Sequence, residues 1–245
     1  KLPVIYGAAY VGGIITDMSI SKDNQDIYWV MSLSEVTNTE TGGTPDTFTF
    51  GNVYWGGKLC IFDPTAQYKV TGLKDESTGE IQDVTGYMDV YLYSNGSNAP
   101  ANSGSSAIQI MNSANLIYTW DNTKLMSNTA FAQTRFQLTN SRTAPGDCFL
   151  DYFTSTRYGA AIEIANINTL SLNALNVYSN TSFTYTNYDG DTTTQPRFTF
   201  NGSIDTNLKI MQNIQAMSDC CDCLVKYNEI AGTWGVVVQT PAYTV

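Results

Sequence analysis

The sequence predicts a β-rich α+β protein: a β-rich part over residues 1–144, then a smaller α+β part over 145–245. Segments dense in β-branched and aromatic residues fill the first part, and helical spacing appears only after Pro145. Charged residues make up 14% of the chain, well below the usual quarter or so, so Asn, Thr, Ser and Gln must solvate most of the surface. Such a composition argues against an Ala/Glu/Lys-rich helical protein.

From Leu2 to about Asp63 the chain reads as β. "IYWVMSLSEV" (27–36) is a strand, and "TNTETGGTP" (37–45) is a polar loop with turn residues. "DTFTFGNVYWGGKLCIF" (46–62) alternates over Phe48 and Phe50, then turns at Gly56-Gly57. "MDVYLYSNGS" (88–97) is a strand running into an Asn-Gly turn. Residues 94–106, "SNGSNAPANSGSS", form a flexible low-complexity loop rather than an interdomain linker, because "AIQIMNSANLIYTW" (107–120) resumes β-type sequence at once.

After residue 144 the predicted order is helix, helix, β-hairpin, helix, β-hairpin. Pro145 suits a first helical position, with Phe149, Leu150 and Phe153 on one face and Tyr158-Gly159 as the stop. "INTLSLNALNVYSN" (167–180) places Leu172, Leu175 and Tyr178 on one side. "SFTYTN" (182–187) and "PRFTFNGSI" (196–204) flank the turn "YDGD" as a hairpin. Asp205 or Thr206 caps a third helix, 207–221, whose stripe is Leu208, Met211, Ile214 or Gln215, and Met217. Met211 and Met217 are expected to be buried against the hairpins. "CLVKYNEIAGTWGVVVQT" (223–240) closes as a hairpin around "NEIAGT".

Chemistry is hard to find. The chain has no His, which removes a Ser-His-Asp triad, and no Ser–Lys motif stands in for it. Zinc and iron–sulfur sites want four soft ligands, usually two Cys pairs. Here Cys220-Cys221-Asp222-Cys223 has no second pair within motif distance, and Cys60 and Cys148 stand far away. Five cysteines, an odd number, also make a poor disulfide framework. Free thiols are expected, with no metal and no cofactor.

Asp147 and Asp151 lie one helical turn apart, as do Asp219 and Asp222, and a glycosidase needs only two carboxylates. With 22 acidic residues such pairs arise by chance, and they read as surface. Trp55, Trp120 and Trp234 can be drawn as a sugar platform, but they read first as sheet and interface packing.

The net charge is −10, and residues 1–122 hold 13 acids against five bases. Without a basic patch, tight nucleic-acid binding is excluded. No run approaches the ~20 apolar residues of a membrane span. Residues 1–15 lack a signal-peptide layout, and "LPVIYG" directly after Lys1 suggests a processed piece of a longer polypeptide.

One stretch is definite without being chemical: Pro145–Ile162, "PGDCFLDYFTSTRYGAAI". It resembles the segment "P-x-x-C-L-x-D-Y-L-T-N-x-R-Y-G-x-G-I" of the central tail tip proteins of lambda-like siphophages (host-specificity, tip-attachment or hub proteins). Three more segments match in order. "LPVIYGAAYVGGII" (2–15), with Tyr6, Gly7, Gly12 and Gly13, is similar to the family's "P-V-x-Y-G-R-x-R-V-G-G" strand. "DIYWVMSLSE" (26–35) is similar to the strand that follows it. Residues 196–238, with Phe198, Asn201, Gly202 and Trp234, resemble the family's "R-F-x-x-N-G-x-I-D-T" run and its closing "G-K-W-x-V". Ala8 and Tyr10 stand where the family often has Arg, and the region from Asp63 to Ala107 carries no match.

The resemblance implies a structural virion protein and no enzyme. Barrel-like β hub domains would precede the α+β domain. Three copies would form a ring capping or connecting the tail tube, beside other tail tip and tube proteins. DNA would pass through without specific binding. Host-binding parts of such proteins usually lie beyond this segment. Asp151, Arg157, Tyr158 and Gly159 would be scaffold: Gly159 ending the helix at positive φ, Arg157 pairing with a neighbouring segment. The acids Asp75, Glu76, Glu80, Asp83 and Asp89 would line the channel. The rival readings are a virion or secreted carbohydrate-binding β-protein and a tail-associated glycan hydrolase.

Overall fold

The structure is a computed structural model that describes residues 1–20, 26–40, 42–93, 116–122 and 133–239. The expected flexible loop over 94–106 lies outside these residues. The chain forms two compact units. One comprises Leu2–Val36 and Thr47–Asn140; the other comprises Lys1, Thr37–Asp46 and Ser141–Val245.

The first unit is all β. Its strands are β1 (Val4–Tyr6), β2 (Ala8–Val11), β3 (Ile14–Ile20), β4 (Asp26–Ser32), β5 (Phe48–Trp55), β6 (Lys58–Phe62), β7 (Lys69–Lys74), β8 (Ile81–Tyr93), β9 (Leu116–Asn122) and β10 (Arg135–Asn140). The stretch Leu2–Ile15, expected as one strand, is cut in three. Gly7 turns the chain at φ +63. Gly13 passes against the core, where an added Cβ would meet Leu33 Cδ2 at 2.6 Å.

Strands β2 to β10 form one antiparallel sheet in the order β2-β10-β5-β6-β7-β8-β9-β4-β3. Strands sit about 4.8 Å apart, so in a flat sheet β5 and β4, five places apart, would be separated by about 24 Å. Yet Trp29 on β4 stacks on Trp55 of β5 with ring centroids 5.5 Å apart. The sheet therefore curls round its core, and the two indoles meet across it. The ends of the order agree. Only Gly12 and Gly13 separate β2 from β3, a chain span of at most about 11 Å. Among the described residues no strand ladder joins β2 to β3 at this seam: the sheet is curled and open, not a closed barrel. Trp29, Val53, Val90, Phe136 and Leu138 fill the interior. Each fully buried side chain of this kind contributes about 1.5–3 kcal/mol.

The second unit holds α1 (Pro145–Thr154), α2 (Thr169–Asn180) and α3 (Ile210–Cys220). It also has the hairpin β11 (Ser182–Thr186) and β12 (Thr192–Pro196), the short β13 (Gly202–Ile204), and the hairpin β14 (Cys223–Asn228) and β15 (Thr233–Val238). The order helix, helix, hairpin, helix, hairpin is present. Helix α2 lies close against β15: Ser171 Oγ accepts the Val236 N–H at 3.1 Å, and a Cβ on Gly235 would stand 2.6 Å from that oxygen. Among the described residues, no helix is long and apolar enough to cross a membrane.

Two expected elements are corrected. The partner of Ser182–Thr186 is Thr192–Pro196, not 196–204. The chain after Pro196 instead runs back along the end of α2, with Arg197 N–H on Thr181 O and Phe198 N–H on Ser179 O, each at 3.1 Å. The third helix starts at Ile210 rather than 207. Asp205 is spent on a turn, accepting the Asn207 N–H at 2.8 Å. Gln212 Oε1 caps the helix by accepting the Lys209 N–H at 3.1 Å. Its buried residues are Asn213, Ile214, Met217 and Ser218, while Leu208 and Met211 are exposed.

Candidate functional site

The residues that stand out chemically in the second unit gather around α1. Helix α1 carries Phe149, Tyr152 and Phe153 into the core and buries Asp151 among them. A buried carboxylate must be hydrogen-bonded. Asp151 Oδ2 accepts the Tyr158 hydroxyl at 2.8 Å, and Oδ1 accepts the Asn38 N–H at 2.6 Å. The first bond closes the turn after α1, and the second ties the 37–46 loop to it. Burial and the Asp151 carboxylate together push the Tyr158 phenol well above its ordinary range.

The turn itself is packed backbone to backbone. The Ala160 N–H donates to Tyr152 O at 2.9 Å, and the Ile162 N–H to Phe153 O at 2.8 Å. An added Cβ on Gly159 would lie 1.8 Å from Tyr152 O. Glycine is needed there because the backbone passes too close for any side chain. The left-handed residue is Ala161, at φ +53, and α1 already ends at Thr154. The expected helix stop by a positive-φ Gly159 is therefore corrected to a close approach.

The 37–46 loop is held at a second point. Arg142 donates from Nε to Asp46 Oδ2 at 2.7 Å and from Nη2 to Oδ1 at 3.3 Å. Thr37 Oγ1 adds a third bond to Asp46, at 2.6 Å. Burial works against the Arg142 charge, but the Asp46 hydrogen bond and charge outweigh it and raise its pKa. At a third point Thr156 Oγ1 donates to Glu40 at 2.7 Å. Arg157, the expected partner of a neighbouring segment, is exposed; Arg142 makes a bidentate contact to the 37–46 loop. Nothing in the sequence spacing signals Arg142, Asp46 or Asn38, since they lie about 100 residues from their partners.

The arrangement is a clamp. Both Asp151 oxygens are occupied and Tyr158 keeps its proton. Burial raises the Cys148 thiol well above its ordinary range. Of the other acids read as possible pairs, Asp147 accepts from Asn176 Nδ2 at 2.8 Å and Asp219 from Gln215 Nε2 at 2.7 Å. Asn176 Oδ1 also accepts the Gly146 N–H at 2.7 Å and so caps α1. Beside this cap lies an open groove of about 570 Å³, lined by Thr143, Asp147, Asn176, Ser179 and Phe198 among others. Among the described residues, no group of three or more His, Cys, Asp or Glu side chains is placed to hold a metal.

The remaining expected residues are dispersed. Tyr6 is buried at 2% exposure in the first unit. The Gly7 carbonyl accepts the Asn140 N–H at 2.8 Å. Phe198 tilts against Tyr178, centroids 6.1 Å apart. Asn201 donates to Thr199 Oγ1 at 3.2 Å, and Gly202 opens β13. Trp234 packs on Tyr227 at 5.2 Å, and its carbonyl accepts the Asn168 N–H at 2.7 Å.

The five acids differ in exposure and in what they bond to. Asp75 organises a turn, accepting from the N–H and hydroxyl of Ser77 at 2.9 and 2.6 Å. Glu76 accepts from the Tyr54 hydroxyl at 3.1 Å. Asp83 accepts the Thr85 N–H at 2.9 Å. Glu80 and Asp83 are exposed. Asp89 is buried, at 8% exposure, opposite Lys69 in the ladder; burial raises its pKa and Lys69 opposes the rise. The register of the ladder breaks between Asp83 and Asp89, Asp83 pairing with Gly72 but Met88 with Val70, and Asp83 is exposed where Asp89 is buried. Asp89 is therefore removed from any acidic lining.

No protein-family model matches the chain, and no curated protein matches it.

Proposed function

We propose that this chain is a structural protein of a phage tail tip: a homotrimeric hub that caps or connects the tail tube and forms part of the DNA passage. It works by packing, not catalysis, in contact with other tail tip and tube proteins. The observation that carries this reading is the use made of the Pro145–Ile162 stretch. Three of the residues that give it its likeness to the tail tip family, Asp151, Tyr158 and Gly159, have a geometric task here. Asp151 and Tyr158 bond to each other at 2.8 Å, and Gly159 admits a backbone contact that no other residue allows. A likeness in residues with such tasks carries more weight than one in interchangeable surface positions.

A second support is apolar surface. Leu170, Val177, Leu208, Met211, Leu224 and Ile230 of the second unit are each at least half exposed. Such exposure suits a subunit that is covered on assembly.

The test is the mass of the purified chain under native conditions by light scattering. A species of about three times 26.9 kDa is expected. A monomer at every concentration would count against the hub. Imaging of particles carrying a tagged chain then locates it; density away from the tail tip would sink the assignment.

A further inference from the structure

Two buried thiols have no part in the clamp. Cys221 closes α3 and Cys223 opens β14, and their sulfurs lie 3.5 Å apart. Both side chains are almost wholly buried, at 0% and 4% exposure, whereas the neighbouring Cys220 is exposed. The approach has a backbone cause. Two extended steps would carry the Cα atoms about 7 Å apart, at the limit of the roughly 4.4–6.8 Å that a disulfide spans. Asp222 between them is left-handed, at φ +53, which folds the chain back and shortens that span. Asp is among the few residues that accept this conformation readily. The last turn of α3 fixes the arrangement from inside: the Cys221 thiol donates to Met217 O at 3.3 Å, and the Ser218 hydroxyl bonds the Cys223 carbonyl.

We propose that Cys221 and Cys223 are a redox pair that closes to a disulfide when the protein meets a two-electron oxidant of the peroxide class. The Cys223 thiolate attacks one oxygen of hydrogen peroxide; the O–O bond breaks, the second oxygen leaves as hydroxide and takes up a proton to become water. Cys223 is then a sulfenic acid. The Cys221 sulfur attacks the Cys223 sulfur, the S–O bond breaks, and the departing hydroxide takes the Cys221 proton as a second water. Two thiols are oxidised and one peroxide is reduced to two waters. Closure needs the sulfurs to move from contact to the bonded distance of about 2.0 Å. Cys223 is the natural first nucleophile: when it ionises, the Cys221 S–H can turn from Met217 O to the Cys223 sulfur 3.5 Å away, and this contact holds the Cys223 thiol below the ordinary range against burial. Hydrogen peroxide, little larger than water, is the class of oxidant that such a buried pair can admit.

The test uses the full chain, purified reduced and folded, then exposed to hydrogen peroxide. The intact mass should fall by two hydrogens. Differential alkylation after denaturation should leave Cys60, Cys148 and Cys220 labelled as free thiols, with Cys221 and Cys223 labelled only after reduction. Cys220→Ser should keep the two-hydrogen loss and the labelling pattern, and Cys223→Ser should lose both. Oxygen gain at Cys220 without loss of two hydrogens would overturn the proposal. So would a linkage that uses Cys220 or Cys148. If Cys223→Ser does not fold, the labelling pattern of the unsubstituted chain still decides.

Discussion

At the residue scale, the chain around Asp151 shows what a sequence reveals and what it hides. The helix from Pro145 is legible because a proline start and an apolar face are local signals. The need for Gly159 is legible too, but not its reason, since the clash is with a carbonyl seven residues back. That difference gives a prediction. Gly159→Ala forces a Cβ to 1.8 Å from Tyr152 O, so the turn must open, and the loss in chemical denaturation should be several kcal/mol. Tyr158→Phe removes one donor from a buried carboxylate and should cost less, about 1–3 kcal/mol. Equal or reversed losses would mean that the turn is not packed as described. A milder residue test concerns Asp75, whose carboxyl is held below the ordinary range first by the Ser77 hydroxyl and then by the Ser77 and Thr78 N–H groups. Its folded pKa lies below the unfolded one. Its contribution is therefore present above the ordinary carboxylate range and is lost as pH falls through the folded value. Ser77→Ala should move its NMR titration midpoint upward; an unmoved midpoint would remove the hydroxyl as the main cause.

At the element scale, strands with buried faces are read well and exposed ones poorly. The turn at Gly56-Gly57 falls between β5 and β6 as expected. The hairpin of β11 and β12 is misread because nearly all of it is exposed, leaving no apolar alternation to mark its return strand. Helix α3 is found, but the face it buries is rotated from the expected stripe. The reason is Asn213, which hydropathy places at the surface. Its Nδ2 donates to the Tyr152 hydroxyl at 2.9 Å and to Asp205 O at 3.0 Å, and so satisfies it in the interior. Met217 remains buried at 2% exposure while Met211 is 60% exposed. Met217→Asp should therefore cost several kcal/mol, because an unpaired charge enters a core. Met211→Asp should stay within about 0.5 kcal/mol in the isolated chain. A large loss at Met211 in thermal or denaturant melts would restore the original stripe and overturn this packing.

At the scale of the whole molecule, strand content was legible but curl was not. Nothing local says that Trp29 and Trp55 meet, since their strands stand five places apart in the sheet. Long-range pairing also decides which acids share a surface, and this reshapes the charge argument. The chain carries −10, and in a trimeric hub three copies would concentrate that charge about one axis. Walls of like sign would keep DNA phosphates from sticking, over a range of about 8 Å at physiological salt. Asp89 is buried, and Asp75 is needed by its turn. Of the five acids, Glu76, Glu80 and Asp83 remain as candidates for such a wall. Changing these three to Lys should leave assembly intact, because none lies in the core. In particles built from the variant, DNA ejection should slow or stall, and more so at low salt, where the new attraction is least screened. Failed assembly would show that these acids serve contacts between subunits. Unchanged ejection at every salt concentration would show that they are solvated surface, and would leave the passage of DNA to other walls.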